Sequence, residues 1–156
     1  MTILALDLSL KCSGYSILET NNNEIKIITS GVIETSSKET TGERLRKIEN
    51  LLECLLSTHN IDVVVREKGF TRHNIATQQI FKVVGVVECI CSKFGFNVEE
   101  IAPTTVKKYV GGSGKASKEE VEAGLEKLVG KREYKTNDES DAVAVGATYI
   151  LMNGGR

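Results

Sequence analysis

The stretch Ile3–Leu18, ILALDLSLKCSGYSIL, decides the reading of this chain. Ile3 to Leu6 predict a buried strand with Asp7 at its far end. Ser9, Ser13 and Gly14 mark a turn, and Tyr15 to Leu18 predict a return strand. A carboxylate that interrupts an apolar strand is costly unless something pairs with it. Asp7 therefore either accepts hydrogen bonds from the backbone of the turn or holds a cation. The question becomes which other carboxylates fold back onto it.

Beyond that hairpin, Glu19 to Asn23 reads as a polar turn. Ile25, Ile27 and Ile28, continued by Gly31, Val32 and Ile33, predict a third strand and so an antiparallel meander. Thr40 to Glu43 is a capping box that opens a helix. Leu45, Ile48, Leu52 and Leu55 recur along it at helical spacing, and it ends near His59-Asn60. Ile61 to Val65 predicts a short, largely buried strand, with Glu67 standing at its end. Asn74 is placed as the cap of a helix through Ile80, Phe81, Val83, Val84, Val86, Val87 and Ile90. Its apolar residues cover more than one side: one side meets the sheet, the other either the core or a partner subunit.

Gly95 to Val98 leads into a strand ending near Ile101, and Pro103 opens a short helix carrying Val106 and Tyr109. Gly111, Gly112 and Gly114 form a loop, and Ser117 to Glu120 is a second capping box, followed by an apolar stripe of Val121, Leu125 and Leu128. A polar, mostly basic linker from Gly130 to Asn137 precedes a last helix, which begins at Asn137 or Asp138. Its small residues, Ala142, Ala144, Gly146 and Ala147, suit close packing on the sheet. The order βββ-α-β-α-β-α-α-α implies an α/β fold, a mixed sheet with helices around it.

The chain has 156 residues, 40% hydrophobic and 26% charged, which predicts one domain spanning 1–156. No apolar run is long enough to span a bilayer, and no basic region precedes an apolar stretch at the N-terminus, so the cytoplasm is the expected compartment and no membrane partner is expected. Cys12, Cys54, Cys89 and Cys91 read as buried free thiols, since neither histidine has a companion at zinc-ligand spacing. A net charge of −1 means that any surface for nucleic acid must be a local concentration of positive charge.

Four acids share one expected meeting point. Asp7 and Glu67 end two strands, and ligands of open α/β sheets gather at the carboxyl ends of central strands. Asp138 and Asp141 are three residues apart, hence on one face of a helix, and they sit in its first turn, where the dipole favours anions. Four oxygen donors without histidine or cysteine suit Mg²⁺ or Mn²⁺. Two such ions about 4 Å apart activate water and stabilise the leaving oxygen of a phosphodiester.

With these residues in place, the chain resembles the RuvC family of Holliday junction resolvases. The resemblance lies in ILALDLSLKCSGYSIL, VVVREKGFTRHNIATQQIFKVVG, APTTVKKYVGGSGKASKEEV and DESDAVAVGA. It implies a ribonuclease H-like fold: a five-stranded mixed sheet, three antiparallel strands then two parallel, flanked by helices. It also implies a homodimeric endonuclease that nicks two opposed strands of a four-way junction, with divalent metal in each subunit. The D-E-D-x-x-D set falls on Asp7, Glu67, Asp138 and Asp141. Lys107 and Lys118 match lysines near the scissile phosphate, and Phe70 matches an aromatic that opens or stacks bases. Two departures stand out. Leu8-Ser9 replaces the usual Pro-Gly after the first aspartate, and Arg66 replaces an apolar residue before the glutamate. Nothing in the chain points to a branch-migration helicase as a partner.

Arg66, Lys68, Arg72 and His73 flank Glu67, while Lys107, Lys108, Lys115 and Lys118 flank the glycine loop. With Phe70 these are the candidate DNA contacts, Arg66 either pairing with Glu67 or reaching a phosphate. Lys118 stands out because a cation in the first turn of a capped helix opposes the dipole by about 0.3–1 kcal/mol. A local rule broken without visible gain points to function. Alternative readings are a junction-binding protein that does not cut, a nuclease of the same fold for branched DNA more broadly or for RNA–DNA hybrids, and an ATPase of the actin or sugar-kinase type. The last needs glycine-rich phosphate turns after the aspartate, which Leu8 to Lys11 do not supply.

Overall fold

The computed structural model describes residues 1–21, 24–69 and 75–153. Its centre is β1 (Thr2–Asp7), in which Ile3, Leu4 and Ala5 are completely buried. A strand covered on both faces reads as an unbroken apolar run, and this one does. β2 (Cys12–Asn21) pairs with it antiparallel, with Asp7 opposite Gly14, and β3 (Glu24–Glu34) continues the meander. On the other side, β4 (Val63–Glu67) and then β5 (Val98–Ile101) run parallel to β1. Among the described residues the sheet has five strands in the order β3-β2-β1-β4-β5, as the family resemblance implies.

Helices cover both faces. α1 (Thr41–Thr58), opened by the Thr40–Glu43 capping box, and α2 (Ile75–Lys93) pack on Leu4, Leu6, Ile17 and Val64. α3 (Pro103–Gly111), α4 (Lys118–Val129) and α5 (Asn137–Asn153) pack on Ile3, Ala5, Leu18 and Val65. Gly112 ends α3 at φ 84°, a left-handed conformation that glycine adopts without strain. α5 lies so close to the sheet that a β-carbon on Gly146 would come within 2.5 Å of Leu18. No helix among the described residues is long and apolar enough to cross a membrane.

Three expectations need correction. β2 runs on through Asn21, where a turn was expected, because Glu19, Thr20 and Asn21 pair with β3. β4 spans 63–67 and not 61–65: Ile61 N–H turns back to His59 and Asp62 caps Thr2, so pairing with β1 starts at Val63 and takes Glu67 into the strand. Of the cysteines only Cys91 is buried, while Cys54 and Cys89 lie exposed on outer sides of α1 and α2. Asn74, the expected cap of α2, lies outside the described residues.

Candidate active site

Strand alternation sorts the acids. Ile3 and Ala5 face α5, so Asp7 does too, and on β4 the same holds for Val65 and then Glu67. The parallel register pairs Leu6 with Arg66, which sets Asp7 and Glu67 side by side at the carboxyl ends of adjacent strands. The first turn of α5 is pressed against this edge. A β-carbon on Gly14, opposite Asp7, would sit 1.8 Å from the carbonyl oxygen of Asp138, so only glycine allows this approach. Ser16 Oγ donates to the Ala142 carbonyl at 3.0 Å and holds the next turn of the helix.

The electrostatics register the convergence. Burial first, then the charges of Glu67, Asp141 and Asp138, raise the Asp7 carboxyl from 3.8 to about 7. Burial and Asp141 raise Glu67 to about 7, while Lys107 pulls it back. Asp141 is raised by burial, drawn down by Lys118, and raised further by Asp138 and Glu122. Asp7, Glu67 and Asp141 each feel at least one other acid of the set as a like charge, and Lys107 and Lys118 act in the opposite sense. Among the described residues no three aspartate, glutamate, histidine or cysteine side chains close into a finished cation cage. The acids line one rim at this edge of the sheet without closing into such a cage. A hard divalent cation fits this donor set, because carboxylate oxygens are its preferred ligands and its charge relieves the repulsion.

A family model described as "Crossover junction endodeoxyribonuclease RuvC" matches residues 3–149, a span that contains all four acids. The chain belongs to the RuvC family. A RuvC from Prochlorococcus marinus is 35% identical over 155 residues, covering 99% of each chain. One from Ehrlichia chaffeensis is 35% identical over 146 residues, 93% of each. The structure described as "T. thermophilus RuvC in complex with Holliday junction substrate" superposes with a TM-score of 0.91 at 23% identity, covering 97% of this chain and 94% of that one. A Fowlpox virus resolvase with Holliday junction DNA superposes at 0.61 and 20% identity, covering 96% and 99%. These likenesses to solved structures show that the RuvC fold is shared.

The candidate DNA contacts divide into groups. Lys107 on α3 reaches the field of Glu67 and Lys118 on α4 that of Asp141, so both stand at the acid rim. Lys108 is exposed with its ammonium 5.9 Å from the Tyr109 ring, and Lys115 is exposed in the loop before α4. Lys68 is mostly exposed and lies 3.6 Å from Glu100. Arg66 is a correction: it is 7% exposed and ion-paired with Glu100 of β5, with Nη1 donating to the Glu67 carbonyl at 3.2 Å. Alternation sends it to the α1–α2 side of the sheet, opposite to Glu67, so it reaches neither the Glu67 carboxylate nor the RuvC crevice. Phe70, Arg72 and His73 lie outside the described residues.

Sequence reasoning missed four contributors. Gly14 was read as a turn residue and is instead a contact point inside β2. Cys12 lies beside Asp138, and burial followed by that carboxylate pushes its thiol up to about 11, so it stays protonated. Thr136 and Glu139 organise the start of α5: the Glu139 N–H donates to Thr136 Oγ1 at 3.3 Å. The signal was present, since Thr136-Asn137-Asp138-Glu139 has the spacing of a capping box.

Proposed function

We propose that this chain is a crossover junction endodeoxyribonuclease that hydrolyses phosphodiester bonds in four-way DNA junctions, one nick per subunit of a homodimer. The observation that carries the mechanism is the Asp7 carboxyl, buried and crowded by three further acids from two other elements. In this reading Asp7, Glu67, Asp138 and Asp141 hold Mg²⁺ or Mn²⁺, two ions per site, as a single domain spanning 1–156. Bound there, such ions lower the pKa of an attacking water and stabilise the leaving oxygen.

The protein's own groups do the rest. Asp7 and Glu67 are fixed by strand pairing, so their geometry is set before substrate arrives. Lys118 reaches past the rim to the charge that develops on the scissile phosphate, and Lys107 neutralises a neighbouring phosphate oxygen. Lys68, Lys108 and Lys115 bind backbone phosphates, and Phe70 and Arg72 act on the opened bases and their phosphates. The outer side of α2 supports the homodimer. Phe81, Gly85 and Cys89 follow one i, i+4 row, Phe81 is 58% exposed, and a β-carbon on Gly85 would meet nothing within 4 Å. Val83, Val87 and Ile90 fill the core from the inner side of α2, and in this reading its outer side meets the partner subunit.

The test is nicking of a synthetic four-way junction with Mg²⁺, with Mn²⁺ and with chelator, by wild type and Asp7→Asn, beside linear duplex, flap and RNA–DNA hybrid. Paired, metal-dependent nicks in the junction that Asp7→Asn abolishes support the reading. Tight junction binding without cleavage in any metal, or preferential cutting of the hybrid, overturns it.

A further inference from the structure

Within Asp138–Asp141 a third acid behaves differently from its neighbours. On a helix, Glu139 lies about 100° round from Asp138, so it projects away from the side that Asp138 and Asp141 share. It is 5% exposed, and each of its carboxylate oxygens has a partner. Oε1 accepts from Ser30 Oγ of β3 at 2.6 Å, and Oε2 accepts from the Lys135 backbone N–H at 2.8 Å. Its own N–H goes to Thr136 Oγ1 and the N–H of Ser140 to the Thr136 carbonyl. Thr136 therefore caps α5, and Asp138, a residue type that commonly serves as a cap itself, is released to face Asp7.

Two contacts locate this turn from opposite senses. Gly14 is a hard stop, since the helix backbone already touches β2 there. Ser30 and Glu139 form a tether from the outer strand that keeps the turn against that stop. Charge-assisted hydrogen bonds of this kind are short and directional, and their loss leaves a buried carboxylate unpaired. Without the tether, repulsion among the four rim acids pushes the free end of α5 away from the sheet.

We propose that Glu139 is a positioning residue for the acid rim: by tying the first turn of α5 to Ser30, it sets where Asp138 and Asp141 stand relative to Asp7 and Glu67, and so sets the affinity of the rim for divalent metal. This rests on the reading of the rim as a metal site. Outer-shell partners typically change metal affinity by 10- to 100-fold, and here the lower end applies because Glu139 acts through the backbone.

The experiment measures Mn²⁺ binding to the DNA-free protein by electron paramagnetic resonance, and the Mn²⁺ midpoint for junction nicking, in wild type, Glu139→Ala, Glu139→Gln and Ser30→Ala. Leu52→Ala, in the opposite core, serves as a control for general destabilisation. Glu139→Ala is expected to weaken Mn²⁺ binding about tenfold and to move the nicking midpoint in parallel, with junction affinity in chelator unchanged. Ser30→Ala, which keeps the bond from the Lys135 N–H, and Glu139→Gln, which keeps both partners through its amide but loses the charge, are each expected to fall about threefold below wild type. They decide the matter if Glu139→Ala does not fold. Mn²⁺ affinity within experimental error of wild type in Ser30→Ala and Glu139→Gln overturns the proposal, as does an equal shift in Leu52→Ala. A wild type that binds no Mn²⁺ removes the metal-site reading and this inference with it; a wild type that binds and nicks while the variants match it removes this inference alone.

Discussion

Arg66 and Glu67 are consecutive on β4, and their charges meet opposite fates. Arg66 turns to the α1–α2 side, where Glu100 of the neighbouring strand pairs with it and the Glu67 carbonyl takes a further bond. Glu67 turns to the α5 side and meets Asp7 and Asp141, charges of its own sign. Both sites are partly or wholly desolvated. At the first, the buried guanidinium meets the opposite charge of Glu100. At the second, desolvation and repulsion act in the same direction, and the carboxyls of Asp7 and Glu67 rise to about 7. A fold tolerates such an arrangement where the strain serves binding. The pairing of charge thus separates a structural site from a functional one two atoms of backbone away.

The sharpest way to break the comparison is to neutralise the repelling side. Asp7→Asn and Glu67→Gln are each expected to lower junction cleavage on the order of 10³-fold while junction binding in chelator persists. Gel assays of nicking and of binding on the same DNA measure both. Removing the rim's cation has a smaller effect: Lys118→Ala is expected to slow cleavage on the order of 10²-fold with little loss of junction affinity. Equal losses in cleavage and binding would falsify a role for Lys118 at the reacting phosphate and leave it an ordinary DNA contact.

On the compensated side the readout is stability. Glu100→Ala strands the buried Arg66 guanidinium. The expected loss is about 2 kcal/mol by chemical denaturation, below the range for a fully buried pair because the Glu100 side chain is 37% exposed. Cleavage by the folded fraction is expected to stay near wild type, since Arg66 lies on the other face of the sheet.

The smallest effect distinguishes the two sites by pH. Asp7 has a folded-state value near 7, above its ordinary 3.8, so in metal-free protein the folded state holds the proton more tightly. Its contribution is fully present below about pH 4 and is lost as pH rises through about 7. In chelator the stability difference between Asp7→Asn and wild type is therefore expected to grow in favour of the variant from pH 5 to 8, as thermal unfolding of both proteins would record. Adding Mg²⁺ at pH 8 is expected to close that gap by stabilising wild type alone.

The meander, both capping boxes, the Pro103 start and the tight fit of α5 were legible because each rests on residues close together in sequence. Asp7, Glu67, Asp138 and Asp141 were nameable for a related reason: strand ends and helix first turns follow from local pattern. Arg66 was misread because the expected strand stops at Val65 and leaves it beyond the strand end; β4 in fact runs through Glu67, so alternation puts Arg66 and Glu67 on opposite faces. Gly14 looked like a turn because glycine in a short stretch usually is one.

From sequence alone came the periodicities, the caps and the set of acids, since these depend on residues within one turn of helix or one pair of strand positions. The tertiary structure alone decided which charges meet. Ser30 and Glu139 are 109 positions apart, and Arg66 and Glu100 are 34 apart. Electrostatic energy follows distance through space, and only the register of the strands and the stop at Gly14 convert chain positions into that distance.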